Sequence, residues 1–184
     1  MSIIYIPDIF AQYSVGDLIS QVPWEEQTTA RRECFMTDPA GVTYTYGGNR
    51  GQRTYVSVEM HPAVREVMDV LNNPVEGARN RRDYNACFLN LYTDEHNMLG
   101  WHADNFDGMD GDHPIASVSF GQPREIWWRP NGQTGVVPVD QRQLLGHGSV
   151  FVMPGGFQAT HQHRIPRGDR QMTPRVSMTF RRFI

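Results

Sequence analysis

His102 and Asp104, two apart in Trp101-His-Ala-Asp104, are the residues of this chain whose types and spacing most invite chemistry. On a strand, side chains two apart face the same way and each residue rises about 3.3 Å, so both could touch one ion. A histidine from a distant strand, His161 or His163, would complete a 2-His-1-carboxylate set. Such a set suits non-heme Fe(II), because it leaves coordination positions open for an oxidant and O2. A lone His-x-Asp is more often a surface hydrogen-bonded pair, so the company it keeps decides.

That company is Arg175-Val-Ser-Met-Thr-Phe-Arg181, which alternates polar and apolar. Arg175, Ser177, Thr179 and Arg181 therefore share one face of a strand, with Val176, Met178 and Phe180 on the other. Six strand steps put the two arginine Cα atoms roughly 20 Å apart, a gap that two extended side chains narrow to the size of a short dicarboxylate. Arginine grips carboxylates bidentately, and an inward-facing one needs an anion. By itself the segment also suits an edge strand with solvated arginines. Two further pairs, Asn90 with Tyr92 and Tyr44 with Tyr46, each share a strand face. The tyrosines could stack on a nucleobase or pack across strands.

From about Arg31 to Phe183 the chain resembles the AlkB family of Fe(II)- and 2-oxoglutarate-dependent dioxygenases. The resemblance rests on Thr43-Tyr-Thr-Tyr46, Asn90-Leu-Tyr92, His102-Ala-Asp104, Pro114-Ile-Ala-Ser-Val-Ser-Phe-Gly121, His147-Gly-Ser149, His163-Arg-Ile-Pro166 and Arg175 to Arg181, in that order. It implies iron, 2-oxoglutarate and O2 as cofactor and co-substrates, with His102, Asp104 and a later histidine as metal ligands. Strand parity cannot separate His161 from His163. The step from His163 to Arg175, with Pro166 following, matches the family better and favours His163. Arg175 would grip the distal carboxylate of 2-oxoglutarate, while Arg181 would lie by the metal-chelating end and the aspartate. Asn90, Tyr92, Leu99 and Ser177 would complete the co-substrate pocket. Tyr44, Tyr46, Phe106 and Trp101 are the candidates for substrate contact, although parity turns Trp101 away from His102. The implied activity is oxidative demethylation of alkylated bases in DNA or RNA, releasing formaldehyde and succinate. The alternative is the same oxygenase chemistry on another modified base, a protein side chain or a small molecule.

Three departures from the family bear on substrate. Phe106 stands where many repair members carry an acidic residue two positions after the metal-binding aspartate, which removes an acceptor for a protonated base. Ser177 replaces a common asparagine and keeps a hydroxyl. The segment from Trp24 to Arg31 is short for the hydrophobic finger that fills the gap behind a flipped base, which favours single-stranded or loop substrates.

The 184 residues and 21.1 kDa suit one domain. Residues 1–85 read as an N-terminal extension with helices and a nucleotide-recognition lid, and 86–184 as the catalytic core. Cys34 and Cys87 make no disulfide framework, so a reducing cytoplasm is expected; a monomer is the expected state. The apolar opening from Met1 to Phe10 is short and broken by Pro7-Asp8, which fits a first strand rather than a signal or membrane span. The net charge of -3 argues against a uniformly basic nucleic-acid coat, yet all 17 basic residues are arginine. Arg31-Arg32, Arg50 with Arg53, Arg79 with Arg81-Arg82, and Arg164 with Arg167 and Arg170 could contact phosphates.

The elements that must hold these residues are two helices and many short strands. Ser14 caps a helix to about Gln21, and His61-Pro62 opens a second whose Val64, Val67, Met68 and Leu71 recur at helical spacing. Strands are expected near 86–92, 114–121, 124–129, 135–138, 149–153, 159–165 and 175–181. The fold class is mainly β (α+β), an antiparallel sandwich or jelly roll, and the resemblance implies the double-stranded β-helix with the helices buttressing one sheet. Trp127 and Trp128 fall on opposite strand faces, His147 reads as structural, and the acidic run from Asn105 to Asp112 lacks calcium-loop spacing.

Overall fold

The computed structural model describes residues 2–25, 31–48, 51–73, 83–104 and 107–184. Strand β1 (Ile4–Ile6) precedes helix α1 (Val15–Gln21), β2 (Arg32–Thr37), the hairpin β3 (Thr43–Gly48) and β4 (Gly51–Val56), the short β5 (Val58–Glu59) and α2 (Pro62–Asn72). Eight strands follow: β6 (Ala86–Tyr92), β7 (Leu99–His102), β8 (Ile115–Gly121), β9 (Arg124–Pro130), β10 (Arg142–Leu145), β11 (Ser149–Met153), β12 (His161–Ile165) and β13 (Arg175–Arg181). A one-turn helix α3 (Phe157–Thr160) leads into β12.

Those eight divide between two sheets. The larger runs β1-β11-β8-β13-β6-β2-β5, the smaller β10-β9-β12-β7. All their mutual pairings are antiparallel. Four strands in each make the double-stranded β-helix, with β1, β2 and β5 widening the larger sheet.

Alternation along β13 sorts its side chains as the sequence requires. Val176, Met178 and Phe180 join Leu89 and Leu91 of β6 and Val118 and Phe120 of β8 in one core with Leu18 of α1 and Val64, Val67, Met68 and Leu71 of α2. Both helices thus buttress the outer face of the larger sheet. Ser14 Oγ accepts the Asp17 N–H (3.4 Å) and His61 Nδ1 accepts the Ala63 N–H (3.2 Å), which satisfies an otherwise orphaned donor at each helix start. A second core of Tyr92, Ile126, Phe151, Phe157, Ile165 and Trp128 lies between the sheets.

Two expected strands differ. Residues 135–138 form none: Pro138 offers no N–H for a ladder and Gly135 takes a φ of 84°, so the chain turns and pairs only from Arg142. The strand expected from 159 starts at His161, because Gly156, at a φ of 75°, turns the chain into α3. Strand β2 escaped detection because its Cys34, Phe35 and Met36 are buried on both faces and show no alternation. Among the described residues, no helix is long and apolar enough to cross a membrane.

Candidate metal centre and co-substrate pocket

Strand register brings the first two ligands together. His102, closing β7, is the direct partner of His163 in β12, and their rings lie 4.1 Å apart. Asp104 follows as β7 ends, and one donor atom from each of the three falls within 4.8 Å of the others. Among the described residues this is the one such cluster. His161 instead pairs with Pro130 and stacks on Phe157 at 4.6 Å and 10°. Register, which parity could not supply, separates the two histidines.

Protonation and orientation suit a divalent cation. The His102 Nδ1 donates to the Gly100 carbonyl at 2.8 Å, and its Nε2 lies 3.5 Å from Asp104 Oδ1. His163 Nε2 lies 3.9 Å from the same oxygen. Burial, reinforced by His102, pushes the His163 pKa down to about 3, so its imidazole is neutral as a ligand must be. Burial alone would raise the Asp104 carboxyl, but the Arg181 guanidinium and the two histidines hold it well below the usual carboxylate range. Arg181 Nε and Nη2 both donate to Asp104 Oδ2, at 2.9 and 2.6 Å, so Oδ1 is the oxygen left facing the histidines. Gln158 of α3, which sequence reasoning missed, accepts the Asp104 N–H at 3.0 Å. The donor set fits Fe(II).

The far end of β13 holds a second unmet demand. Arg175 is 1% exposed, donates from Nη2 to Ser119 Oγ at 2.9 Å, and packs over the Tyr92 ring at 5.0 Å. Its Nε and Nη1 are buried with no hydrogen-bond partner among the described residues. Burial pushes this guanidinium's pKa down. A buried cation with donors unmet calls for an anion, and the Nη1–Nη2 end of a guanidinium matches a carboxylate. The two arginines therefore differ: Arg181 is taken up by Asp104, while Arg175 keeps donors unmet. Between them on the same sheet face, Ser177 pairs in register with Asn90 on one side and Ser119 on the other. Asn90, Leu99, His102, Asp104 and Arg181 line one cavity together with Arg31, Tyr44 and Phe88.

The substrate candidates fare differently. Tyr44 reaches the cavity, but it is 2% exposed and packed edge-on against Phe88 and Phe183. Trp101 faces away from the metal centre, with Arg129 stacked on it at 4.1 Å and Arg164 beside it at 5.5 Å. It does not line the cavity, because its neighbours His102 and Asp104 take the inward positions of the strand. Trp127 shares that outer face between Arg142 and Arg164, while Trp128 turns into the core. The side chain of Tyr46, together with Phe106, Arg50, Arg79, Arg81, Arg82 and residues 26–30, lies outside the described residues. Arg31 and Arg53 are not free for phosphate, since both pair with Glu33. His147 is structural: its Nδ1 accepts the Gly121 N–H at 2.9 Å and its Nε2 donates to Ala11 O at 3.1 Å.

A model of the 2OG-Fe(II) oxygenase superfamily matches residues 3–181. The chain belongs to that superfamily. Its AlkB relatives include human alpha-ketoglutarate-dependent dioxygenase alkB homolog 3, 30% identical over 93% of this chain and 61% of that protein. Mouse DNA oxidative demethylase ALKBH2 is 30% identical over 94% of this chain and 70% of that one, which places the chain in the AlkB family. The chain thus spans about three fifths of the length of alkB homolog 3. The solved structure of OsALKBH1 superposes with a TM-score of 0.58, covering 98% of this chain and 97% of that one at 15% identity, and shares the fold. Fe(II) and 2-oxoglutarate are the metal and co-substrate for which the matching superfamily is named.

Proposed function

We propose that this AlkB-family chain oxidatively demethylates alkylated nucleobases in DNA or RNA. Support for the chemistry comes from one observation above all: a buried arginine with two unpartnered donors on the same strand as the partner of the His-Asp-His carboxylate. Support for the substrate class comes from relatives named as alkB homolog 3 and DNA oxidative demethylase.

In this reading His102, Asp104 and His163 would hold the iron, with Asp104 Oδ1 facing the two imidazoles. Arg175 takes the distal carboxylate of 2-oxoglutarate, with Tyr92 and Ser119 fixing the guanidinium, and Asn90, Leu99 and Ser177 bound the rest of the co-substrate. Iron, when bound, couples O2 to the oxidation of 2-oxoglutarate to succinate and CO2, placing the second oxygen atom on a substrate carbon. When that carbon is an N-methyl group, the hydroxylated product falls apart to formaldehyde and the restored base. The protein's share is placement. Arg181 keeps Asp104 ionised and turned toward the histidines, Gly100 fixes the His102 tautomer, and the aromatic wall of Phe88, Tyr44 and Phe183 limits water. Tyr46 and Phe106 remain the candidates for base contact. Single-stranded nucleic acid is the preferred form, taken by a cytoplasmic monomer folded as one domain.

The closed packing of Tyr44 favours a second reading, the same oxygenase chemistry on a different substrate. A panel of methylated single-stranded and duplex oligonucleotides, assayed for formaldehyde and succinate, separates them. Demethylation carries the first; succinate without formaldehyde from any oligonucleotide carries the second.

A further inference from the structure

We propose that Glu33 is a positioning residue for the co-substrate, acting through Arg31 on the Asn90 amide and anchoring that amide to the β3–β4 hairpin. The proposal rests on the cavity beside the metal centre being the 2-oxoglutarate site.

Glu33 sits on β2 directly opposite Asn90 on β6, so it extends the row of polar side chains formed by Asn90, Ser177 and Ser119 across the inner face of the larger sheet. It is 2% exposed. A carboxylate so buried needs donors, and three converge on it. Arg31 Nη2 meets Oε1 at 2.7 Å, while Arg53 Nη1 at 3.0 Å and the Tyr55 hydroxyl at 2.6 Å reach Oε2. Burial, then the Glu33 bond, push the Tyr55 phenol up, so it remains a donor. Arg53 also bonds Glu25, whose own N–H donates to the Glu33 carbonyl at 2.9 Å.

The consequence lies one step further in. Arg31, 7% exposed and lining the cavity, turns its Nε to Asn90 Oδ1 at 2.6 Å. A guanidinium nitrogen can only donate, so the atom it meets is the amide oxygen. The Nδ2 donors are what Asn90 has left for the cavity it shares with His102, Asp104 and Arg181. 2-Oxoglutarate as a dianion offers only acceptors, so this amide orientation is the one that can bind it. Without Glu33, Arg31 would lose the carboxylate that orients it, and the amide would lose the contact that sets its rotation. Because Arg53 and Tyr55 belong to the hairpin, displacing the hairpin and loosening Asn90 are linked.

The test reads binding rather than turnover. 2-Oxoglutarate is titrated calorimetrically into the full chain loaded with Mn(II), for the unmutated protein, Glu33→Gln, Arg53→Ala, Asn90→Ala and the two doubles with Asn90→Ala. Glu33→Gln is expected to weaken 2-oxoglutarate about tenfold, the loss of one charge-assisted hydrogen bond's geometry at Asn90, with Mn(II) affinity unchanged. Arg53→Ala, on a side chain 32% exposed, gives a smaller loss in the same direction and serves should Glu33→Gln fail to fold. In the Asn90→Ala background either change has no further effect on 2-oxoglutarate. Additive losses, or equal weakening of Mn(II) and 2-oxoglutarate, overturn the relay. If the unmutated chain loaded with Mn(II) does not bind 2-oxoglutarate, the co-substrate reading falls and the relay with it.

Discussion

Replacing Arg175 with methionine separates what its guanidinium does for the fold from what it does for a ligand. In the structure this cation is buried, with one hydrogen bond to Ser119 and two donors unpartnered. Two charge-assisted bonds to a carboxylate, at about 1.5–3 kcal/mol each, amount to about 3–6 kcal/mol. At 1.4 kcal/mol per decade that is roughly a hundred- to ten-thousand-fold in 2-oxoglutarate affinity. Stability moves the other way. Exchanging an unpaired buried charge for an apolar side chain of similar length is neutral or stabilising by up to about 1–4 kcal/mol, offset by about 1 kcal/mol for the lost Ser119 bond. The expected Tm of Arg175→Met without ligand is therefore unchanged or higher, by as much as roughly 10 °C at about 2–4 °C per kcal/mol. Circular dichroism melts and calorimetric titration of the Mn(II)-loaded chain read the two quantities. A Tm lowered as for a core deletion, or 2-oxoglutarate affinity within threefold of the unmutated chain, refutes the assignment of Arg175 as an empty carboxylate grip.

Three other outcomes are expected. Mn(II) at a hundredfold excess over its Kd stabilises the folded chain by about 2.7 kcal/mol, roughly 5–10 °C in Tm; chelator reverses the shift, His163→Ala abolishes it, and an equal shift in that variant means another ligand set. Trp101→Ala removes the shelf for Arg129 and Arg164 and costs about 1–3 kcal/mol of stability while kcat/KM on a methylated oligonucleotide stays within twofold, whereas a large drop in kcat/KM with the melt unchanged returns Trp101 to the substrate site. Burial, then Glu25, raise the Cys34 thiol to about 12, so at pH 8 only about one molecule in 10⁴ is thiolate; iodoacetamide labels Cys34 after unfolding and spares it in the native chain, and labelling of the native chain within minutes contradicts the packing.

What could be read ahead of the structure was whatever strand geometry makes local. His102 and Asp104 are two apart, the arginines of β13 fall on one alternating face, and Val64, Val67, Met68 and Leu71 mark one side of α2. Beyond that reach, contacts depend on which strands lie side by side. Only the pairing of β12 with β7 separates His163 from His161. Gln158 supports Asp104 across 54 residues and Arg31 meets Asn90 across 59, distances over which neither spacing nor residue type carries a signal. Tyr44 was recognisable as one of two aromatics sharing a strand face; that its ring would be closed off by Phe88 and by Phe183 from the far end of the chain was not.

Among the described residues strand β7 is the outermost member of its sheet, four residues long, and paired on one side with β12. Such margins fray most readily, and here the margin carries a histidine whose partner sits on the next strand in. Occupancy of the centre and attachment of this border are consequently one equilibrium: an ion spanning His102 and His163 rivets the sheet's rim, and peeling of the rim is the route by which the ion would escape. Amide exchange at Trp101 and His102 should therefore report loading of the centre directly, slowing in proportion to the tightness of the bound cation.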